Sequence, residues 1–266
     1  MPVSEKLLIR LYLDTKPHQQ LITKLQKGLI LISNERELAG EGIGLGAPAI
    51  RYKDRTYFSG SSTMEFEKTR SHATAVKKFS LNLTSERTLR NIKLETKAIR
   101  KIRRNFDKLY MNHRHMRLLA SENMQRHVGI KRAFAQTKPL GTVNVTYNIN
   151  PPNVRIETEF NLLQNKGLQK IYLLNEQGST HFRKYYDSKG TVLFDKDIGA
   201  WETVRAPWAC IYNVEDRFGF RLWKHKGAVL HRGREFLNGT LDWIGLDYEA
   251  DPENLRFNYD IELVRS

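Results

Sequence analysis

The sequence predicts a mainly β protein: a large antiparallel β-sandwich, with one or two helices in the N-terminal half. Three observations predict it. From about residue 140 onward, apolar residues recur at every second position, which is the period of a half-buried strand. Turn signals cut that pattern at short intervals: Asn165-Lys166-Gly167, Glu176-Gln177-Gly178, Asp187-Ser188-Lys189-Gly190, Lys226-Gly227 and Asn238-Gly239. Many short strands between tight turns form sandwiches or barrels. Finally, hydrophobic residues make up 40% and charged residues 27% of 266 positions, enough to fill a core without disulfides.

Each element follows in order. Leu7 to Leu13 is an apolar run ending at Asp14-Thr15-Lys16-Pro17 and reads as a strand. After Pro17, the apolar residues Leu21, Ile22, Leu25, Leu29 and Ile32 share one helical face, although Gly28 weakens the later turns. Gly40 to Ile50 carries four glycines, Gly40, Gly42, Gly44 and Gly46, which let a strand bend or backbones approach. A dinucleotide-binding G-x-G-x-x-G would need glycine at position 47 or 49, and both are alanine. Arg55 to Ser59 and the alternating Lys78 to Leu83 read as strands. From Thr88 to Met124, Ile99, Ile102, Phe106 and Leu109 recur at helical steps. Beyond a connector from Gly129 to Gly141, Val143, Val145 and Tyr147, then Val154, Ile156, Thr158 and Phe160, alternate with polar residues. The expected organisation is a single β-rich domain over 1–266. It has a basic helical segment at about 88–124 and a strand-rich half at about 140–266.

Charge is uneven. Residues 1–135 hold 27 Lys and Arg against 12 Asp and Glu, while residues 136–266 hold 17 of each, so the whole net charge of +15 lies in the first part. Eleven of the 31 residues in 87–117 are Lys or Arg. On a helix, Arg100, Arg103, Arg104 and Lys108 share a broad face that would contact a polyanion, either an acidic glycan or nucleic acid. A solvated helix face is the plain alternative.

Several classes are excluded or disfavoured. The N-terminus lacks the apolar centre of a secretory signal, and no apolar run reaches the ~18 residues needed to span a bilayer. A soluble, cytoplasmic chain with no membrane partner is therefore expected. The single cysteine, Cys210, forms no internal disulfide and reads as a small buried hydrophobe. His113 and His115 point to different helix faces, so no metal site is expected there. No phosphate-binding loop, nucleophile elbow or zinc-binding helix motif is present, and no cofactor is implied.

Two stretches carry a family resemblance. They are Gly227-Ala228-Val229-Leu230-His231-Arg232-Gly233-Arg234-Glu235, and Leu241-Asp242-Trp243-Ile244-Gly245-Leu246-Asp247-Tyr248. They resemble the last strands of the galactose-mutarotase-like supersandwich proteins, which include sugar epimerases and polysaccharide lyases. The glycine-rich strand Gly42 to Gly46 and Tyr57-Phe58-Ser59 resemble an early strand of such a sheet. The likeness covers about a third of the chain and implies a supersandwich fold rather than an activity.

Candidate chemistry lies in the second half, which holds all four tryptophans, Trp201, Trp208, Trp223 and Trp243. Each reads as core or as a platform for a sugar ring. His181 and His231 are candidate proton carriers, with Glu202 and Glu235 as acidic partners. Trp201 is the candidate platform, and Arg205 and Arg234 the candidate clamps for a substrate carboxylate. Three functions compete: a protein binding or modifying an acidic sugar or glycan, a non-catalytic assembly protein, and a nucleic-acid-associated protein using the basic helix.

Overall fold

The computed structural model describes residues 8–11, 28–33, 36–38, 43–60, 67–71, 74–84, 86–89, 133–136, 138–150, 152–237 and 241–265. The chain divides into two compact units. One comprises Met1–Ser85, Lys138–Glu235 and Asp242–Ser266; the other comprises Glu86–Thr137 and Phe236–Leu241.

The strands, in chain order, are β1 (Leu8–Leu11), β2 (Leu29–Ser33), β3 (Arg36–Glu37), β4 (Gly44–Tyr52), β5 (Arg55–Gly60), β6 (Glu67–Ser71) and β7 (Thr74–Thr84). There follow β8 (Glu86–Leu89), β9 (Ala133–Gln136), β10 (Gly141–Asn150), β11 (Asn153–Leu162) and β12 (Leu168–Gly178). The rest are β13 (Lys184–Asp187), β14 (Val192–Phe194), β15 (Glu202–Thr203), β16 (Trp208–Asn213), β17 (Phe218–Trp223), β18 (Ala228–Leu237), β19 (Leu241–Ala250) and β20 (Arg256–Arg265). A 3-10 turn, Asp195–Ile198, follows β14. In the smaller unit, β8 and β9 form an antiparallel pair.

The remaining strands form one antiparallel sheet. One wing runs β14–β13–β16–β17–β20–β11–β10–β7. Through β5 it continues into β4, β12 and β19. Next to β19 lies β18, which pairs with β15. A two-residue turn, Lys53-Asp54, joins β4 to β5; both residues have positive φ (46° and 62°), the conformation that matches strand twist.

Alternation decides which face is core. On β10, Val143, Val145 and Tyr147 are buried; on β11, Val154, Ile156 and Phe160; on β20, Phe257, Tyr259, Ile261 and Leu263. These side chains meet the second wing. Tyr147 Oη donates to Gly46 O at 3.1 Å, Tyr259 Oη donates to Asn175 Oδ1 at 2.8 Å, and the Tyr248 and Tyr259 rings lie 5.0 Å apart. Gly46 has φ 79°, and a Cβ there would come within 2.7 Å of Ile156 Cδ1, so close approach and left-handed backbone both require glycine.

The mainly β expectation holds, as do the strands at Leu8–Leu11, Arg55–Gly60 and Thr74–Thr84. One helix is corrected: its expected last turns, Leu29 to Ile32, are strand β2, paired with β1 and β3. Leu29-Ile30-Leu31-Ile32 is continuously apolar, a pattern that fits a buried strand as well as a helix face. The other helix cannot begin at Thr88, because Glu86–Leu89 is paired strand. The rest of that segment, with Arg100, Arg103, Arg104 and Lys108, lies outside the described residues.

Candidate functional site

The outward face of β12 and β19 carries charged and polar residues where the opposite face is core, and Arg51 of β4 and His231 of β18 stand at its borders. On β19, Ile244, Leu246, Tyr248 and Ala250 are buried inward. The alternate positions Trp243, Gly245, Asp247 and Glu249 therefore share the other face. On β12, Lys170 and Tyr172 alternate with buried Ile171 and Leu173. Tyr172 stands directly opposite Glu249, and Lys170 opposite Arg51.

This pairing gathers a charged cluster. Lys170 Nζ lies 2.7 Å from Glu249 Oε1. On the other side of the same carboxylate, His231 Nε2 lies 3.8 Å from Glu249 Oε2. The Nε2 atom is buried and makes no hydrogen bond. Burial holds the His231 pKa below its ordinary value; Glu249 opposes that shift and Lys170 adds to it. A hydrogen bond to Glu249 raises the Lys170 pKa, against partial desolvation. Burial first, then the Glu249 charge, raises that of the Tyr172 hydroxyl, while Arg51 works in the opposite sense.

Trp201 lies on the same face. A Cβ at Gly233 would come 2.5 Å from Trp201 Cδ2, and one at Gly245 would come 3.2 Å from Trp201 Cη2. The indole therefore spans β18 and β19, two residues along from His231, and the glycines leave it room. Glu176 stands beside it, with its Cγ 3.0 Å from the same Gly245 Cβ position, and both Glu176 and Asp247 of this face are buried.

Beneath the face, Asn175 fixes a register shift between β12 and β4. Its Oδ1 accepts from Gly46 N at 2.9 Å and from Tyr259 Oη at 2.8 Å. Its Nδ2 donates to Leu173 O at 3.1 Å and Leu246 O at 3.0 Å, and its backbone N donates to Asp247 Oδ1 at 2.7 Å. Such a bulge re-aims the residues that follow it, here Glu176.

The sequence-predicted residues separate. Trp201 and His231 share the face just described. Glu202 is exposed and bonds Arg232 Nη2 at 3.0 Å. Arg232 alternates with His231, and its guanidinium stacks 4.9 Å from the ring of Tyr185, so Glu202 belongs to the other face of β18. Arg234 has the parity of Arg232; the pKa of Asp195 is lowered chiefly by its hydrogen bond from Arg183, and the Arg234 charge adds to that. His181 lies in the turn after β12, where its N–H donates to Gly178 O at 3.1 Å. That is the far end of β12 from Tyr172. Arg205 is exposed in the turn before β16. Glu235 is a strand position of β18. Glu249, Lys170, Tyr172 and Arg51 were missed; the alternation of Trp243, Gly245, Asp247 and Glu249 with apolar residues was the available signal.

Among the described residues, no group of three or more His, Cys, Asp or Glu side chains is placed to hold a metal. No helix among them is long and apolar enough to cross a membrane.

No protein-family model matches the chain, and no curated protein matches it. Among solved structures, it is similar to the α-N-acetylgalactosaminidase NagBb from Bifidobacterium bifidum in complex with GalNAc: 10% identity, TM-score 0.49, covering 89% of this chain and 33% of that one. The chain thus spans about a third of that protein's length. It is also similar to a protein of Synechocystis sp. PCC 6803: 8% identity, TM-score 0.35, covering 89% and 88% of the two chains. A galactose mutarotase related enzyme from Lactobacillus acidophilus matches with 9% identity and TM-score 0.35, covering 90% of this chain and 91% of that one. These are weak resemblances of fold.

Proposed function

We propose that the chain modifies a carbohydrate by proton transfer on the outward face of β12, β19 and β18. One observation carries the reading: a buried, unbonded imidazole nitrogen lies 3.8 Å from a carboxylate, on the face spanned by a tryptophan. Burial keeps His231 uncharged near neutral pH, so Nε2 can take or give one proton. Lys170 holds Glu249 in place as the second proton-handling group. A sugar resting against Trp201 would offer a hydroxyl and a ring oxygen to this pair. An acidic sugar would direct its carboxylate to Lys170 and Arg51, rather than to Arg205 or Arg234. In the same reading, the wings that meet through Tyr259 and Asn175 are the two layers of a supersandwich.

The test is polarimetry of freshly dissolved α-anomers, a hexuronate beside the matching neutral hexose. The expected result is faster mutarotation of the uronate, lost in His231→Ala and Glu249→Gln with folding intact. Lys170→Met should raise KM for the uronate more than it lowers kcat. No acceleration of either sugar, or full activity in both of the first two variants, would overturn the reading.

A further inference from the structure

The first wing has its own outward face. On β16 and β17, Ala209, Ile211, Phe218, Phe220 and Leu222 fill the core. The alternate residues take the opposite face, where Cys210 and Tyr212 are buried, and cross-strand register sets them in rows. Trp208 stands opposite Trp223, Cys210 opposite Arg221 and Tyr186, and Lys184 opposite Tyr212 and Phe194. The Arg221 guanidinium lies 4.3 Å from the Trp208 ring and 5.9 Å from the Trp223 ring, and Glu262 binds it at 3.0 Å. Lys184 Nζ lies 5.4 Å from the Tyr186 ring and 5.7 Å from the Phe194 ring. Three large hydrophobic side chains of this face remain open: Trp223 is 38% exposed, Phe194 47% and Val192 50%.

Fixed rings with charged groups between them form a surface that stacks on a ligand and hydrogen-bonds its edges. Size and charge choose the ligand class. From β14 to β20 the face crosses four strand spacings, about 19 Å, and from Trp208 to Tyr212 it runs about 14 Å, which gives about 250 Å². A standard protein interface needs about 800 Å² on each partner. A single-stranded nucleic acid draws its affinity from several phosphate contacts. Of the two cations in these rows, Glu262 already neutralises Arg221. A short oligosaccharide needs neither the large area nor the strong positive charge.

We propose that the outward face of β13, β16 and β17 is a glycan-binding platform, separate from the His231–Glu249 face, with Trp223 as its exposed stacking ring. It goes beyond the proton-transfer reading and does not depend on it.

The experiment presents the full chain to a printed array of neutral and uronate-containing oligosaccharides, then measures the strongest soluble probe by calorimetry. Trp223→Ala should weaken that binding at least tenfold, with an unchanged melting temperature, while Trp223→Tyr retains most of it. His231→Ala and Glu249→Gln should bind as tightly as the unaltered chain. Three results would overturn the proposal. One is a chain that binds no glycan on the array. Another is binding lost with His231 and Glu249 but kept without Trp223. The third is a Trp223→Ala variant that loses only self-association or oligo-dT binding. Failure here leaves the polarimetry assay untouched, so the two readings fall separately.

Discussion

Asn175→Ala tests how the outward face of β12 is held. Asn175 is fully buried, and its side chain closes four hydrogen bonds across two strands and the facing wing. Removing it leaves two donors, Gly46 N–H and Tyr259 O–H, without their acceptor. Each orphaned buried donor costs about 1–2 kcal/mol. The carbonyls of Leu173 and Leu246 keep a second lone pair and add less. The expected loss is about 3–4 kcal/mol, a large part of a typical 5–15 kcal/mol stability. At about 2–4 °C per kcal/mol, the melting temperature should fall by roughly 10 °C. Urea denaturation followed by tryptophan fluorescence reads the change as a lower midpoint at constant slope. Asn175→Asp should also destabilise, because it sets a carboxylate against two carbonyls. A loss below about 1 kcal/mol for the alanine variant would refute the assignment of the register shift to this side chain.

Three further outcomes follow from the geometry. Gly233→Ala should displace the Trp201 indole, since the new Cβ would come 2.5 Å from Cδ2; a red-shifted emission difference against Trp201→Phe checks it. Gln177 is buried with both amide atoms unbonded, so Gln177→Met, which removes two unpaired groups at similar volume, should leave the urea midpoint unchanged or raise it; a fall of more than about 1 kcal/mol contradicts this. For His231, burial lowers the folded pKa below the unfolded value of about 6.5. The unfolded chain then binds more protons between the two values, so stability rises with pH through that window and is lost as pH falls below about 6.5. Histidine proton NMR should place the His231 titration below pH 6.5, and lower still in Glu249→Gln, which removes the opposing charge; an upward shift in that variant would contradict the contact.

Strands of period two were legible because one face of each is core. Val143, Val145 and Tyr147 on β10, and Val154, Ile156 and Phe160 on β11, read correctly from alternation alone. Leu29 to Ile32 did not, since a run apolar at every position carries no period. The strand Glu86–Leu89 was also hidden. Arg87, Thr88 and Leu89 lie inside a long stretch free of glycine and proline, and only pairing with Ala133–Gln136, more than forty residues later, makes them strand.

The site was half legible, for a reason that parity explains. His231 and Trp201 stand out as residue types, and closeness in sequence offers Glu202 and Glu235 as acidic partners and Arg205 and Arg234 as clamps. In a strand, the nearest neighbour points away. Arg232 and Arg234 leave the His231 face for that reason, and Glu202 follows Arg232 through their ion pair. The acid that reaches His231 is Glu249, eighteen positions on, because β18 and β19 lie side by side and both residues take the outward parity. The cations of the cluster come from further away still: Lys170 from β12, which reaches Glu249, and Arg51 from β4, which stands opposite Lys170 and acts on Tyr172. Small side chains at Gly233 and Gly245 were equally informative: on two strands otherwise rich in large residues, they mark where the Trp201 ring lies. A search keyed to strand parity, pairing outward His with outward acid on adjacent strands and outward glycines with a tryptophan, would have found this cluster.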